Sequence, residues 1–274
     1  MQVKIIEVKD YLVKSNVKVV DFTINPYVGC PHACKYCYAS FMKRFTNHDN
    51  EEWGTFIDIK HCNKPININK LHGKTIFMSS VTDCYNPYEA KYCITQNILK
   101  QLLNVECNII IVTKSSLILR DLDILKQFKS IKVALSINTL DEKFKNDMDN
   151  ASSIKDRLNT LKILSENGIH TILFMSPIFP GITNYKEIIN ISKSYINEYW
   201  FENLNLRSDY KYRILIYIYS KYPQLKELYK EIFILNNNDY WNKLALDIKE
   251  YCINNLVNYN ISFNHKELVR KRVK

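Results

Sequence analysis

The sequence predicts an α/β protein built on a parallel sheet, and three observations predict it. Apolar runs alternate with helical patterns along most of the chain. Those runs are apolar on both faces, as strands covered by helices on each side must be. Six such units precede residue 207, too few to close an eight-fold barrel.

The elements follow in order. Val19 to Ile24 reads as a strand leading into a cysteine-rich loop, and Tyr36 to Phe45 as the next helix. Phe45 to Leu71, with its Asn and His content, reads as a long insertion of the kind that shapes a substrate site. Thr75 to Met78 is a second strand, ended by the polar turn Ser79-Ser-Val-Thr-Asp83. Pro87 to Leu103 is a helix with a proline near its start. Asn108 to Thr113 is a third strand, followed by a helix over Arg120 to Phe128. Lys132 to Ile137 is a fourth, and its helix, Ser153 to Asn167, stops before Gly168, a helix C-cap. His170 to Met175 is a fifth, followed by a helix over Tyr185 to Tyr195, and Trp200 to Leu204 is a sixth. Beyond Arg207 the pattern changes, and Asp239 to Tyr259 reads as one amphipathic helix. The chain therefore divides into a barrel-type unit, residues 1–207, and a helical C-terminal extension packed on it, residues 208–274.

Composition narrows the class. The chain has 274 residues, 46% of them hydrophobic, enough for one sizeable core. No run of about 18 apolar residues supports a membrane span. Met1-Gln-Val-Lys-Ile-Ile-Glu-Val carries charges where a signal peptide needs an apolar stretch. The expectation is a cytoplasmic protein whose eight cysteines stay reduced. A net charge of +10 admits nucleic acid as a partner. The competing reading is lysine scattered over solvated helix faces, because only residues 265–274 form a dense basic run.

The chemistry concentrates in Asn25-Pro-Tyr-Val-Gly-Cys-Pro-His-Ala-Cys-Lys-Tyr-Cys-Tyr-Ala39. Cys30, Cys34 and Cys37 are spaced C-x3-C-x2-C. Three thiolates can hold three irons of a 4Fe-4S cluster and leave the fourth iron open to a small molecule. Zinc is the alternative, with His32 as a fourth ligand, although structural zinc sites usually pair two distant ligand clusters. Of the other cysteines, Cys93, Cys107 and Cys252 fall where small core residues belong. Cys84 follows the turn after the second strand and is a candidate hydrogen-atom donor, against an inert packing role.

The run resembles the signature of the radical S-adenosylmethionine (SAM) superfamily. That resemblance implies a partial (β/α)6 TIM-type barrel, with chemistry where its strands end. It implies a single 4Fe-4S cluster on Cys30, Cys34 and Cys37, and SAM on the open iron. It further implies reductive cleavage of SAM to a 5′-deoxyadenosyl radical and an external electron donor such as a flavodoxin or ferredoxin. SAM needs partners for its carboxylate, amino group, ribose and adenine. Lys114, at the end of the third strand, is the natural cation for the carboxylate. Arg157 is a second donor to it, and Ser136 and Asn138 suit the methionyl or ribosyl groups. Tyr36 is expected beside the adenine.

More narrowly, the chain looks like the spore photoproduct lyase-like branch. The shared pieces are the cysteine run, Ser80-Val-Thr-Asp-Cys-Tyr-Asn-Pro-Tyr-Glu89, Val112-Thr-Lys-Ser115, Ser136-Ile-Asn138 and Pro177-Ile-Phe-Pro-Gly-Ile-Thr183. Ala39-Ser-Phe-Met-Lys-Arg-Phe45 and Trp53-Gly-Thr-Phe-Ile-Asp-Ile-Lys60 resemble the family called radical SAM mobile pair protein B, which implies a paired radical SAM protein. The branch resemblance implies that Lys114 and Ser136 bind the methionyl carboxylate and that Ser80 and Asp83 lie against SAM. It also implies that Thr82 and Asp83 take over contacts to the amino group and that Tyr38 takes part in hydrogen transfer. One departure stands out: the lyase keeps a hydrogen-donor cysteine before its Ser-Asp pair, whereas here Cys84 comes after it. Three functions follow: a radical SAM enzyme acting on an unidentified substrate, a DNA-lesion repair lyase that must unstack its target, and a nucleic-acid-binding protein with a structural metal site.

Overall fold

The computed structural model describes residues 1–17 and 19–263, so the basic run 265–274 lies outside the described residues. The described strands are β1 (Gln2–Glu7), β2 (Leu12–Lys14), β3 (Phe22–Ile24), β4 (Tyr27–Val28), β5 (Phe56–His61) and β6 (Thr75–Met78). They continue with β7 (Asn108–Thr113), β8 (Ile131–Ser136), β9 (His170–Ile178), β10 (Glu198–Asn203) and β11 (Tyr259–Ile261).

Eight of them form one open sheet in the order β11-β10-β9-β8-β7-β6-β3-β2. Every pairing from β3 to β11 in this sheet is parallel, and only β2 runs antiparallel, against β3. β3 and β6 to β10 are the six expected units, with helices on the crossovers and the two ends of the sheet left apart: a partial TIM-type barrel. The reason lies in the strands themselves. Ile76, Met78, Ile109, Ile111, Leu173 and Met175 are buried, and in β8 every residue but Lys132 is. Each large apolar side chain enclosed in this way contributes about 1.5–3 kcal/mol.

Several features differ from the sequence-based expectation, among them the expected helix over Arg120 to Phe128, which is a 3-10 helix, Ser116–Asp121, followed by the short helix Leu122–Leu125. The segment after the cysteines is a 3-10 helix, Tyr38–Phe45, with no side chain capping its start. Residues 87–103 form two helices, Glu89–Tyr92 and Ile94–Leu102, broken where Cys93 takes φ +53°. A second sheet, β1-β5-β4, is formed by the N-terminus, the 45–71 insertion and the start of the cysteine run. β1 hides from pattern reading because almost all of it is exposed, so no buried face imposes alternation.

After β10 come helices Ser208–Lys221, Lys226–Phe233 and Asp239–Asn254. The last stops short of Tyr259, closed by the bond from Val257 N–H to Cys252 O. β11 then returns to the sheet beside β10, so a strand ends the described part of a segment expected to be helical. Tyr217 donates to Asp147 Oδ2 at 2.7 Å and ties the helix Ser208–Lys221 to the barrel side.

Candidate functional site

The cysteine loop leaves β3 through the short β4 and arches over the carboxyl ends of the parallel strands. Ala33 N–H donates to Cys30 O and Cys37 N–H to Cys34 O, both at 3.1 Å, so the loop is a series of tight turns. The opposite wall holds it: Lys35 N–H donates to Met148 O, and Asn150 N–H to His32 O. All three cysteines are free thiols. Burial is the chief cause that pushes each of them above its ordinary range. At Cys37 the backbone N–H of Ala39, the Lys114 ammonium and the indole N–H of Trp53 oppose that push. Buried thiols stay neutral unless a cation compensates the thiolate, as a bound metal ion can.

Asn25 joins this loop to the turn after β6. Its Oδ1 accepts from the N–H groups of Ser80 (2.9 Å) and Val81 (3.0 Å), and its Nδ2 donates to Ser80 Oγ. Thr82 Oγ1 donates to Gly29 O at 2.6 Å. Tyr38 is 55% exposed, and its hydroxyl donates to Ser80 O. Asp83 is buried and turned inward. It accepts from Thr113 Oγ1 (2.7 Å), Lys114 N–H (2.8 Å) and Tyr85 N–H (2.9 Å), with His32 Nε2 at 3.2 Å. Burial alone would raise this carboxyl, but His32 and the hydrogen bonds from Lys114 and Thr113 outweigh it and hold it below the usual range.

A second chain of contacts closes the other side. Arg157 is 1% exposed and donates to Ser152 O, Ser136 O and Asp149 Oδ1 at 2.8, 3.0 and 2.7 Å. Asp149 Oδ2 accepts from Tyr36 OH at 3.2 Å. Burial first, and then Cys34 and Asp149, push the Tyr36 phenol well up, so Tyr36 is a neutral donor. Lys114 Nζ lies 5.5 Å from the Tyr36 ring centre and acts electrostatically on Cys34, Cys37 and Asp149.

The fold therefore brings together the cysteine loop, Tyr36, Ser80, Thr82, Asp83, Lys114, Ser136 and Arg157. Asn138 sits one step further round the rim, donating to Pro177 O at 2.9 Å. Cys84 lies apart from the loop: it is fully enclosed in the main core, and Thr95 Oγ1 donates to its carbonyl at 2.6 Å. Sequence reading passed over Asn25, Trp53, Thr113 and Asp149. Of these, Asn25, Trp53 and Thr113 sit inside runs that carried the family resemblance, and Asp149 does not.

The donor set fits a cluster better than a zinc ion. Among the described residues no three His, Cys, Asp or Glu side chains gather closely enough to share one metal ion. His32, the fourth ligand a zinc site would want, faces Asp83 instead. A four-iron cube asks for thiolates on separate irons and needs no fourth protein ligand where a small molecule binds.

Comparisons with known proteins agree. The profile of the Radical SAM superfamily matches residues 24–193. An uncharacterized protein of Methanocaldococcus jannaschii is 41% identical over 209 residues, covering 76% of this chain and 78% of that protein. An uncharacterized protein of Acidianus two-tailed virus is 32% identical over 171 residues, covering 58% of this chain and 56% of its own. Among solved structures, a spore photoproduct lyase with bound AdoMet and dinucleoside spore photoproduct superposes with a TM-score of 0.59 at 16% identity, covering 81% of this chain and 66% of the lyase. Streptococcus suis SuiB superposes with a TM-score of 0.52 at 15% identity, covering 88% of this chain and 48% of SuiB. At such identities the superpositions speak for the fold. The chain spans just under two thirds of the lyase's length and about half of SuiB's.

Proposed function

Because this chain belongs to the radical SAM superfamily, we propose that Cys30, Cys34 and Cys37 hold one 4Fe-4S cluster and that SAM binds beside it at the strand ends. The observation that carries this reading is three free thiols on one loop, Cys30 buried and Cys34 and Cys37 half-buried, with the Lys114 ammonium acting electrostatically on the latter two. The cluster and SAM together would supply reductive cleavage to a 5′-deoxyadenosyl radical, which abstracts hydrogen from a substrate still to be identified.

The chain's own residues bind and orient. Lys114 offers a cation to the SAM carboxylate, and the Ser136 hydroxyl is the second group for it. Arg157 serves them from behind: its three directed N–H groups hold the Ser136 backbone and Asp149, which in turn fixes Tyr36. Asp83 fixes the Lys114 backbone rather than its ammonium, so Ser80 and Thr82 are the better placed groups for the SAM amino end. Asn138 serves the ribose side. Of the two candidates for hydrogen transfer, Tyr38 is accessible and Cys84 is enclosed, so the relay role falls to Tyr38. Residues 1–207 form the catalytic unit, and the C-terminal extension begins at 208, its described part reaching residue 263. An external electron donor completes the reaction, and the resemblance to mobile pair protein B adds a second radical SAM protein as partner. Among the described residues no helix is long and apolar enough to cross a membrane.

Anaerobic reconstitution tests this. About four irons and four sulfides per chain are expected, together with 5′-deoxyadenosine once SAM and reductant are added. A tightly bound zinc with no visible absorption would overturn the reading.

A further inference from the structure

The 45–71 insertion sends one segment under the cysteine loop, and two glycines set how closely it packs. Gly54 has φ +98°, and a Cβ placed on it would stand 2.4 Å from the Cβ of Ala33, which lies between Cys30 and Cys34. Gly29 has φ +82°, and a Cβ there would meet Phe56 O at 2.5 Å. Neither position tolerates a side chain without movement of backbone or of a packed ring. The segment 53–56 is thereby locked to the cysteine loop from both sides.

Trp53 is the residue this lock presents to the sulfurs. It is 8% exposed and packs with Cys30, Ala39 and Phe56, with Cys37 and Met42 against the same cluster. Its ring stands edge-on to Phe56, with centroids 5.8 Å apart. Phe56 is itself stacked on His48 at 3.8 Å, and His48 is pinned by Glu51 and Asp58 at 2.8 and 2.9 Å. The tryptophan therefore has a supported orientation. Its indole N–H, a donor only, makes no hydrogen bond of full geometry among the described residues, although it is buried. The Cys37 sulfur packs against the same small cluster as the indole. A buried donor left without a partner is costly, and a thiolate sulfur is the acceptor at hand.

We propose that Trp53 is a positioning residue for the cluster: its indole N–H donates to the Cys37 sulfur once that sulfur is an iron-bound thiolate, and this bond raises the cluster's reduction potential. The proposal rests on the cluster reading above. Hydrogen bonds to cluster sulfurs and exclusion of solvent are two of the levers that set such potentials. An N–H donor favours the state with more negative charge on sulfur, which is the reduced one, so its loss lowers the potential. Trp53 supplies the bond, and its apolar rings keep water away from the same sulfur.

The test uses the full chain reconstituted without oxygen, as wild type, Trp53→Phe and Phe56→Leu. Iron and sulfide are measured first. A wild-type chain that takes up no cluster overturns the cluster reading and this proposal with it, whereas loaded chains isolate the role of Trp53. Redox titration followed by EPR then reads the midpoint. Trp53→Phe is expected to shift the reduced-to-oxidised ratio at fixed poise about tenfold toward oxidised, ~59 mV for one electron. Phe56→Leu disturbs the packing but keeps the N–H, and should leave the midpoint near that of wild type. Equal midpoints in wild type and Trp53→Phe overturn the proposal, as do equal shifts in both variants. Should Trp53→Phe fail to load, wild-type protein grown with indole-15N tryptophan decides. A 15N hyperfine coupling to the reduced cluster is expected, and its absence sinks the hydrogen bond.

Discussion

Lys114 shows how one side chain acquires a role from its surroundings. Its backbone N–H is fixed by Asp83, and its ammonium lies over the Tyr36 ring, within electrostatic reach of two cysteines and Asp149. Among the described residues it forms no close ion pair of its own, so the charge is free for an anionic ligand. Lys114→Ala should keep the iron content and weaken SAM binding by about 1.5–3 kcal/mol, the range for a hydrogen bond to a charged group. That is about ten- to a hundredfold in affinity. Equilibrium binding on anaerobically loaded protein measures it, and unchanged affinity removes Lys114 from the carboxylate. At this scale the sequence is legible where chemistry fixes spacing, as in the cysteine loop. It is silent where the partner is remote. Asn25 meets Ser80 across 55 positions and Tyr36 meets Asp149 across 113, and nothing in the local pattern of either residue announces the other. Trp53 was legible only as part of a resemblance, since its use depends on two glycines and a ring stack.

Elements were legible to the extent that both of their faces are buried. β6 and β7 run as the apolar pattern predicts, and β8 and β9 differ only at their ends, because hydrophobic runs in a parallel sheet leave little freedom of register. β1 was invisible for the opposite reason, being exposed on both faces. The helix Ile154–Glu166 was foreseen, but not what it carries. Arg157 on its first turn reaches back to the loop that precedes the helix and to the end of β8, so helix, loop and strand share one buried guanidinium. Asp149 is its counter-charge, and burial, which would raise that carboxyl, is outweighed by Arg157, Lys114 and Lys145. Removing one partner of a buried pair leaves the other uncompensated. Asp149→Ala should therefore destabilise the chain by about 3–5 kcal/mol. The double variant with Arg157→Ala should cost less than the two single changes added together. Denaturant unfolding of the four chains measures the cycle, and strict additivity would mean that the pair is not coupled.

The whole molecule combines a lyase-like barrel with a turn that lacks the lyase's thiol, and the combination bears on substrate. The fold superposes on spore photoproduct lyase with a TM-score of 0.59, and lesion repair is the competing function that the sequence resemblance raised. After β6, however, the chain offers Ser79, Ser80, Val81 and Thr82, and a thiol appears only at Cys84. That thiol is 0% exposed, and burial pushes it well above its ordinary range, so it is a neutral core group rather than a reagent at the rim. The turn after β6 offers the alcohols Ser79, Ser80 and Thr82 instead, and an alcohol O–H bond gives up hydrogen far less readily than S–H. Charge does not restore the repair reading either. The dense basic run, 265–274, lies outside the described residues, and the remaining lysines are spread along the chain. Incubating loaded enzyme with SAM, reductant and irradiated DNA without oxygen should give 5′-deoxyadenosine but no thymine recovered from the photoproduct at a catalytic rate. Recovery at such a rate would place the repair function first. It would also require a hydrogen donor other than the enclosed Cys84, and Tyr38→Phe in the same assay would identify it, since Tyr38 is the exposed phenol beside Ser80.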